Sequence, residues 1–283
     1  MGNERELLMI PGPTMVSPRV LRVLAKPVLS HVSGEFVEGY AEALRLQKTL
    51  FGTEGTPFML SGSGTLGMEA AIANLVEKGE KVLCIENGFF GEKWEEIIAG
   101  HGGVADRVRF EWGEALDLKR IEEKLSSDDY KAVTVEHVDT STGIANRVDK
   151  VGGLVKNSDA LLIVDSVCGV GGMPMKMDEW NIDYCLTGSQ KAIAAPPGTS
   201  MFCLNDDAWG PLRRGRPPST TITATSRDGG PSWRIRGATS PLRPRGTSSG
   251  CWRPSGSSTK RGSRPGGGAT RSSPTPSRRG SRP

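Results

Sequence analysis

Seven short runs of apolar, largely branched side chains recur between residues 58 and 204, and stretches of helical character lie among them. The runs are Phe58-Met59-Leu60, Lys81–Glu86, Val104–Phe110, Ala132–Glu136, Ala160–Val164, Tyr184-Cys185-Leu186 and Ser200–Leu204. The most apolar of them, Ala160–Val164, reads as a parallel strand covered on both faces. Helices are expected at about Ser17–Ala25, Glu35–Phe51, Leu66–Val76, around Trp94, and at Leu116–Leu125. Ser17 suits a cap and Pro18 the first helical position. In the second helix Phe36, Tyr40, Ala43, Leu44 and Leu50 follow a helical period. The expected architecture is an α/β fold, a mainly parallel sheet with helices on both faces. Such sheets gather ligands beyond the carboxyl ends of their strands, so the residues that end each run are the first candidates for chemistry.

The net charge of +4 is the sum of two unlike pieces. Through Gly210, 20 lysines and arginines stand against 31 acids; from Pro211 onward, 16 stand against one. Residues 1–210 therefore read as a folded domain and 211–283 as a basic, disordered tail. The charged start and the lack of a long apolar run exclude a signal peptide and a membrane span. Five cysteines, Cys84, Cys168, Cys185, Cys203 and Cys251, show neither metal spacing nor a small disulfide scaffold. Reduced thiols in a cytoplasmic protein are expected.

Two residues carry the chemistry. Asp165 follows Leu161-Leu162-Ile163-Val164, placing a carboxylate at a strand end, and Lys191 lies 26 residues later, before a loop that Pro196 and Pro197 stiffen. An aspartate so placed can pair with a protonated ring nitrogen, and a held lysine can condense with an aldehyde. Together they suit pyridoxal phosphate; separately, each suits a helix cap or a solvated loop lysine equally well.

Other segments offer supporting functions. Ser61-Gly62-Ser63-Gly64-Thr65 opens a helix after a strand, and the free amides of such a turn bind anions. The same turn has a second reading: Gly62, Gly64 and Gly67 keep dinucleotide-fingerprint spacing, with Glu86 ending the next strand, as in a nucleotide-dependent oxidoreductase. Asn87-Gly88-Phe89-Phe90-Gly91 could lay an aromatic ring over a planar ligand, although core packing is the commoner fate of such rings. The polar loop from His137 to Gly143 offers hydroxyls to a phenolic oxygen or to its own backbone.

Taken in order, Pro11-Gly12-Pro13, Ser61–Thr65 with Glu69-Ala70-Ala71, Asn87–Gly91, Thr140-Ser141-Thr142-Gly143, Val164–Val167 and Gly188–Lys191 with Pro196–Ser200 resemble the class V aminotransferases of fold type I. The likeness is to the alanine–glyoxylate and serine–pyruvate branch, and it covers residues 7 to about 209. It implies pyridoxal 5'-phosphate as cofactor, with Lys191 bonded to its aldehyde and Asp165 on its ring nitrogen. It also implies Phe90, often tryptophan in relatives, and Val167 on the two ring faces. Ser63, Gly64, Thr65 and Gln190 fall on phosphate positions, and Thr140 near the ring oxygen. The implied activity moves an amino group between a small amino acid, alanine or serine, and a 2-oxo acid, glyoxylate or pyruvate. The intact family member is implied to be a homodimer, with neither membrane nor nucleic acid as partner.

The tail has two explanations, a nucleic-acid-binding extension or out-of-frame translation. Read one base early, Thr220–Thr223 permits a run of tyrosines, Thr239–Pro244 permits YFATPP, and Thr259–Gly266 permits DEEGLEAR. These resemble, in order, what the family carries after its lysine strand, so a frame break between Leu204 and Ser219 is expected. The chain as written then lacks the family's small C-terminal domain and its carboxylate-gripping arginine.

Overall fold

A computed structural model describes residues 7–206 and 208, and the backbone of 222–224 and 233–235. By its contacts the chain divides into Met1–Leu242 and Arg243–Pro283, the second wholly outside the described residues. The expectations for the basic tail lie outside them as well, apart from a two-stranded antiparallel ladder, Ile222–Ala224 with Trp233–Ile235.

The first unit is built on a seven-stranded sheet. Its strands are β1 (Thr56–Ser61), β2 (Lys81–Glu86), β3 (Val104–Arg109), β4 (Ala132–Glu136), β5 (Leu161–Asp165), β6 (Tyr184–Gly188) and β7 (Thr199–Leu204). The order across the sheet is β1-β7-β6-β5-β4-β2-β3, and only β7 runs against its neighbours. The alternating helices are α1 (Pro18–Leu24), α2 (Gly34–Phe51), α3 (Gly64–Leu75), α4 (Phe89–Gly100), α5 (Leu118–Leu125) and α6 (Val148–Val155). The sequence reading lacked α6, whose eight residues include two glycines and so carry little helical signal.

Local chemistry sets the helix ends. Ser17 Oγ accepts from Val20 N at 3.4 Å and Pro18 opens α1, as expected. Ser33 caps α2 through Phe36 N at 3.3 Å, and Asp117 caps α5 through Lys119 N at 2.9 Å. Helix α2 stops at Gly52, whose φ of 63° is left-handed and where a Cβ would stand 2.7 Å from Met175 O. Only glycine suits both demands.

Alternate residues of each central strand face opposite layers. Leu83, Ile85, Val133, Val135, Leu162 and Val164 pack with Ile121 of α5 and with Val148, Val151 and Val155 of α6. Val82, Cys84, Ala132 and Ile163 pack with Met68, Ile72 and Leu75 of α3 and with Trp94 and Ile98 of α4. Burying each such large side chain contributes about 1.5–3 kcal/mol. By the same alternation Glu86, Glu136 and Asp165, which end β2, β4 and β5, lie on the α3 and α4 face. Helix α2 departs from its sequence pattern: Gln47 and Phe51 are buried, while Phe36 stays exposed and stacks on Tyr40 at 5.9 Å.

Candidate active site

Helices α3 and α4 both begin at the rim where the parallel strands end, since each directly follows a strand of that direction. Two positive helix ends therefore approach the buried carboxylates of β4 and β5. Asp165 is 2% exposed. Its Oδ1 accepts from Val167 N at 2.8 Å, and Oδ2 takes no hydrogen bond among the described residues. Burial pushes this carboxyl up to about 7; the Val167 N–H opposes the rise, the charge of Asp139 adds to it, and the Lys191 ammonium opposes it. Asp165 pairs with Leu186 of β6, the strand that leads into the Lys191 turn, so the two residues leave adjacent strands at the same rim. Glu136, opposite Asp165 in the register of β4 and β5, accepts from Trp94 Nε1 at 2.9 Å. Burial first, then the charges of Asp165 and Asp139, drive its carboxyl well above the ordinary range.

Lys191 stands in the turn between β6 and β7. Its carbonyl accepts from Ala194 N at 2.8 Å, and Ala195 N reaches back to Ser189 O at 2.9 Å. Thr187 Oγ1, on the same strand, donates to Ser166 O at 3.1 Å, fixing β6 against the Asp165 loop. Gln190 folds back over Gly188, where a Cβ would come within 2.7 Å of its Oε1.

The glycine turn joins this group. Gly62 N donates to Gly198 O at 2.9 Å, in the loop beyond the lysine. A Cβ on Gly64 would lie 2.6 Å from Val167 Cγ2, so the start of α3 rests directly on the residue two after Asp165. Ser63 precedes the helix in extended conformation without capping it, which leaves first-turn amides open to an anion. Ser63 and Thr65 flank Gly64 at this turn; their side chains make no hydrogen bonds to the rest of the group.

Phe90 and Thr140 are brought together by a residue that the sequence reading passed over. Asp139 Oδ2 accepts from Phe90 N at 2.9 Å and Gly91 N at 3.4 Å, and its Oδ1 accepts from Ser141 N at 2.8 Å. The carboxylate thus caps α4 from 49 residues away in sequence and sets where Phe90 sits. Gly88 is required beside it, because a Cβ there would stand 2.3 Å from Asp139 Cγ. An aspartate before Ser and Thr signals a turn closing on itself, and nothing local points to a distant helix. Thr140 Oγ1 lies 2.8 Å from Cys168 Sγ, which links the β4 loop to the β5 loop.

The dinucleotide reading is not what this fold builds. A fingerprint needs its glycine turn and its acid on adjacent parallel strands. Here β7, β6, β5 and β4 stand between β1 and β2, a separation of roughly 24 Å at ordinary strand spacing. Glu86 is instead engaged by Arg109 Nε at 2.8 Å. The long α3 crossover is what the spacing of Gly62, Gly64, Gly67 and Glu86 could not reveal.

The sequence profile described as aminotransferase class-V matches residues 19–241. The chain belongs to the class V aminotransferases. It is 42% identical over 211 residues to an uncharacterized aminotransferase of Methanocaldococcus jannaschii, covering 74% of this chain and 55% of that protein. It is 36% identical over 229 residues to alanine–glyoxylate aminotransferase 1 of Saccharomyces cerevisiae, covering 74% of this chain and 60% of the yeast protein. Among solved structures, the ureidoglycine–glyoxylate aminotransferase of Bacillus subtilis superposes with a TM-score of 0.73 at 32% identity, over 77% of this chain and 57% of that one. The chain thus spans little more than half the length of the relatives it matches.

Membership in this family implies pyridoxal phosphate, and the residues present fit that group. A buried carboxylate with one open oxygen and a raised proton affinity suits a ring N–H. The open first turn of α3, pressed against Val167, suits a phosphate. Lys191 stands in the turn beyond β6, the strand that pairs with β5. Among the described residues there is no cluster of metal-ligating side chains and no helix long and apolar enough to cross a membrane. The four described cysteines are unpaired.

Proposed function

We propose that this chain carries the cofactor half of a pyridoxal-phosphate aminotransferase that moves an amino group from a small amino acid, alanine or serine, to glyoxylate or pyruvate. The observation that supports the reading is the buried Asp165 at the end of β5, beside the strand that leads to Lys191 and with the start of α3 resting on Val167. When bound, the cofactor supplies an aldehyde that takes up amino groups and a ring that withdraws electrons while its nitrogen is protonated. Asp165 holds the proton on that nitrogen, and burial strengthens the pair. Lys191 Nζ would take the proton from the substrate Cα and deliver it to the cofactor, a general base and acid in one group. Phe90 and Val167 bracket the ring and exclude water from its faces. Ser63, Gly64, Thr65 and Gln190 hold the phosphate against the start of α3, and Thr140 orients the ring oxygen. Glyoxylate as acceptor draws support from the yeast and Bacillus relatives, whose names include it.

Borohydride reduction of the chain with pyridoxal phosphate, followed by peptide mass mapping, tests the site. The expected result is a single label on Lys191, weakened in Asp165→Asn. A label on another lysine, or none, overturns the assignment.

We further propose that the intact protein, with the family's small domain in place, works as a homodimer, and that the chain as written, lacking part of that interface, is monomeric or aggregates. The support is a series of exposed apolar side chains in the N-terminal segment, including Leu7, Met9, Ile10, Leu24, Val28 and Val32. Large apolar side chains left exposed along one segment suit an interaction face.

A further inference from the structure

Pro11 to Thr14 belong to the N-terminal arm and meet the lysine turn across nearly the whole domain. Thr14 N donates to Gln190 O at 2.9 Å, and Thr14 Oγ1 donates to Lys191 O at 2.8 Å. These bonds join residues 176 and 177 positions apart. They are therefore tertiary contacts, not features of a local turn. Two residues earlier, the arm passes over the lysine side chain itself. A Cβ on Gly12 would stand 2.4 Å from Lys191 Cδ, 2.9 Å from Cε and 3.1 Å from Nζ.

We propose that Thr14 is a positioning residue for Lys191, and that Gly12 keeps clear the space its amine occupies. The inference rests on the reading of Lys191 as the residue that bonds the cofactor. A lysine has four rotatable side-chain bonds, so the placement of Nζ depends on where the backbone is anchored and on what walls the stem. The turn supplies one anchor, Ala194 N on Lys191 O. The arm supplies a second on the same oxygen, a third on the preceding carbonyl, and the wall.

This division of labour separates a positioning role from a structural one. Thr14→Val removes the hydroxyl donor and keeps the shape. Lys191 O retains its bond from Ala194 N, so no buried acceptor is orphaned and the fold loses little. Thr14→Ser restores the donor. Gly12→Ala adds one methyl against the lysine stem and also strains a backbone whose φ is 159°, so its labelling counts only beyond what any fall in its urea midpoint explains.

The experiment titrates the full chain with pyridoxal phosphate, traps with borohydride, and measures the fraction labelled at Lys191 beside the urea midpoint. Thr14→Val is expected to need about twofold to tenfold more cofactor for half-labelling, the equivalent of one hydrogen bond. Gly12→Ala is expected to lose on the order of tenfold or more, as misplacement of a reacting group does. Thr14→Ser should match the wild type, and the midpoints of both Thr14 variants should stay with it. Thr14→Val labelled like the wild type overturns this inference and leaves the reading of Lys191 standing. A fall in midpoint that accounts for the lost labelling, shared by Thr14→Ser, makes the role structural and also overturns it. Absence of label at Lys191 in the wild type removes both.

Discussion

Leu162 and Ile163 of β5 are shut away from water, whereas Val28, between α1 and α2, is 99% exposed. The two regions draw on the same kind of residue. Central strands lie between two helical layers, so each of their apolar side chains meets partners from this chain. The segment from Leu7 to Val37 carries a comparable set, Leu8, Ile10, Met15, Leu21, Val23, Leu24, Leu29 and Val32 among it, with no helical layer above it. Sequence hydrophobicity says that a face wants covering; topology decides whether the chain can cover it. The arm meets the lysine turn at Gly12 and Thr14.

The largest test of that contrast is truncation inside the sheet. Leu162→Ala should destabilise the domain by about 2–5 kcal/mol, from lost transfer energy and the cavity left behind, seen as a lower urea midpoint. A smaller loss would mean that the two layers are less closely packed around β5 than their burial indicates.

A second test concerns the charge that the core has accepted at its rim. Asp165 is raised to about 7 in the folded chain by burial. Between about pH 4, where an unfolded aspartate has released its proton, and about 7, the folded chain still holds one. The folded state therefore binds more protons than the unfolded state, and the cofactor-free chain loses stability as pH rises through that window, by up to about 1.4 kcal/mol per unit. Asp165→Asn should flatten this slope. Glu136, raised in the same direction, adds to the decline. Urea midpoints that rise between pH 4 and 7 would contradict the burial of an uncompensated carboxylate.

Much of this was legible in the sequence, for reasons that the residues make plain. Strands β2 and β4 run from Lys81 to Glu86 and from Ala132 to Glu136 as read, because their apolar runs end sharply at polar residues. Asp165, Gly64, Val167 and Lys191 converge because each stands at a strand end or at the turn beyond it. Asp139 was not legible, since its partners, Phe90 and Gly91, lie on another element. Nor was the misfit of Gly62, Gly64, Gly67 and Glu86, which depends on strand order. The family match, running to residue 241, passes the change of composition at Gly210. We propose that the basic tail is nonetheless out-of-frame translation beginning between Leu204 and Ser219. The gene read one base early should then give balanced charge and no stop codons through Pro283; scattered stops would show the tail to be genuine.

A third test weakens the rim without opening the core. Asp139→Asn keeps the shape and removes the charge that accepts from Phe90 N and Gly91 N. A charge-assisted cap of this kind contributes about 1–3 kcal/mol, so the loss should fall below that of Leu162→Ala. Phe90 should also loosen, with weaker cofactor labelling at Lys191 than the stability change alone explains. Equal loss of both would reduce Asp139 to a helix cap.

The smallest expected effect separates the two regions most cleanly. Val28→Ser alters a side chain that touches almost nothing in its own chain, so the unfolding free energy at low protein concentration should move by less than about 0.5 kcal/mol. If a second copy covers the segment, the same change in the frame-corrected protein should weaken association, and sedimentation should show its dimer giving way to monomer at higher concentrations than without the change. The two measurements pull apart only when the face is covered by another molecule. A drop in single-chain stability comparable to that of Leu162→Ala would mean that the arm packs on its own domain, and the contrast between sheet and arm would fail. No change in either measurement would leave Val28 outside the interface, and the test would move to Leu24 and Val32, its exposed neighbours in the same segment.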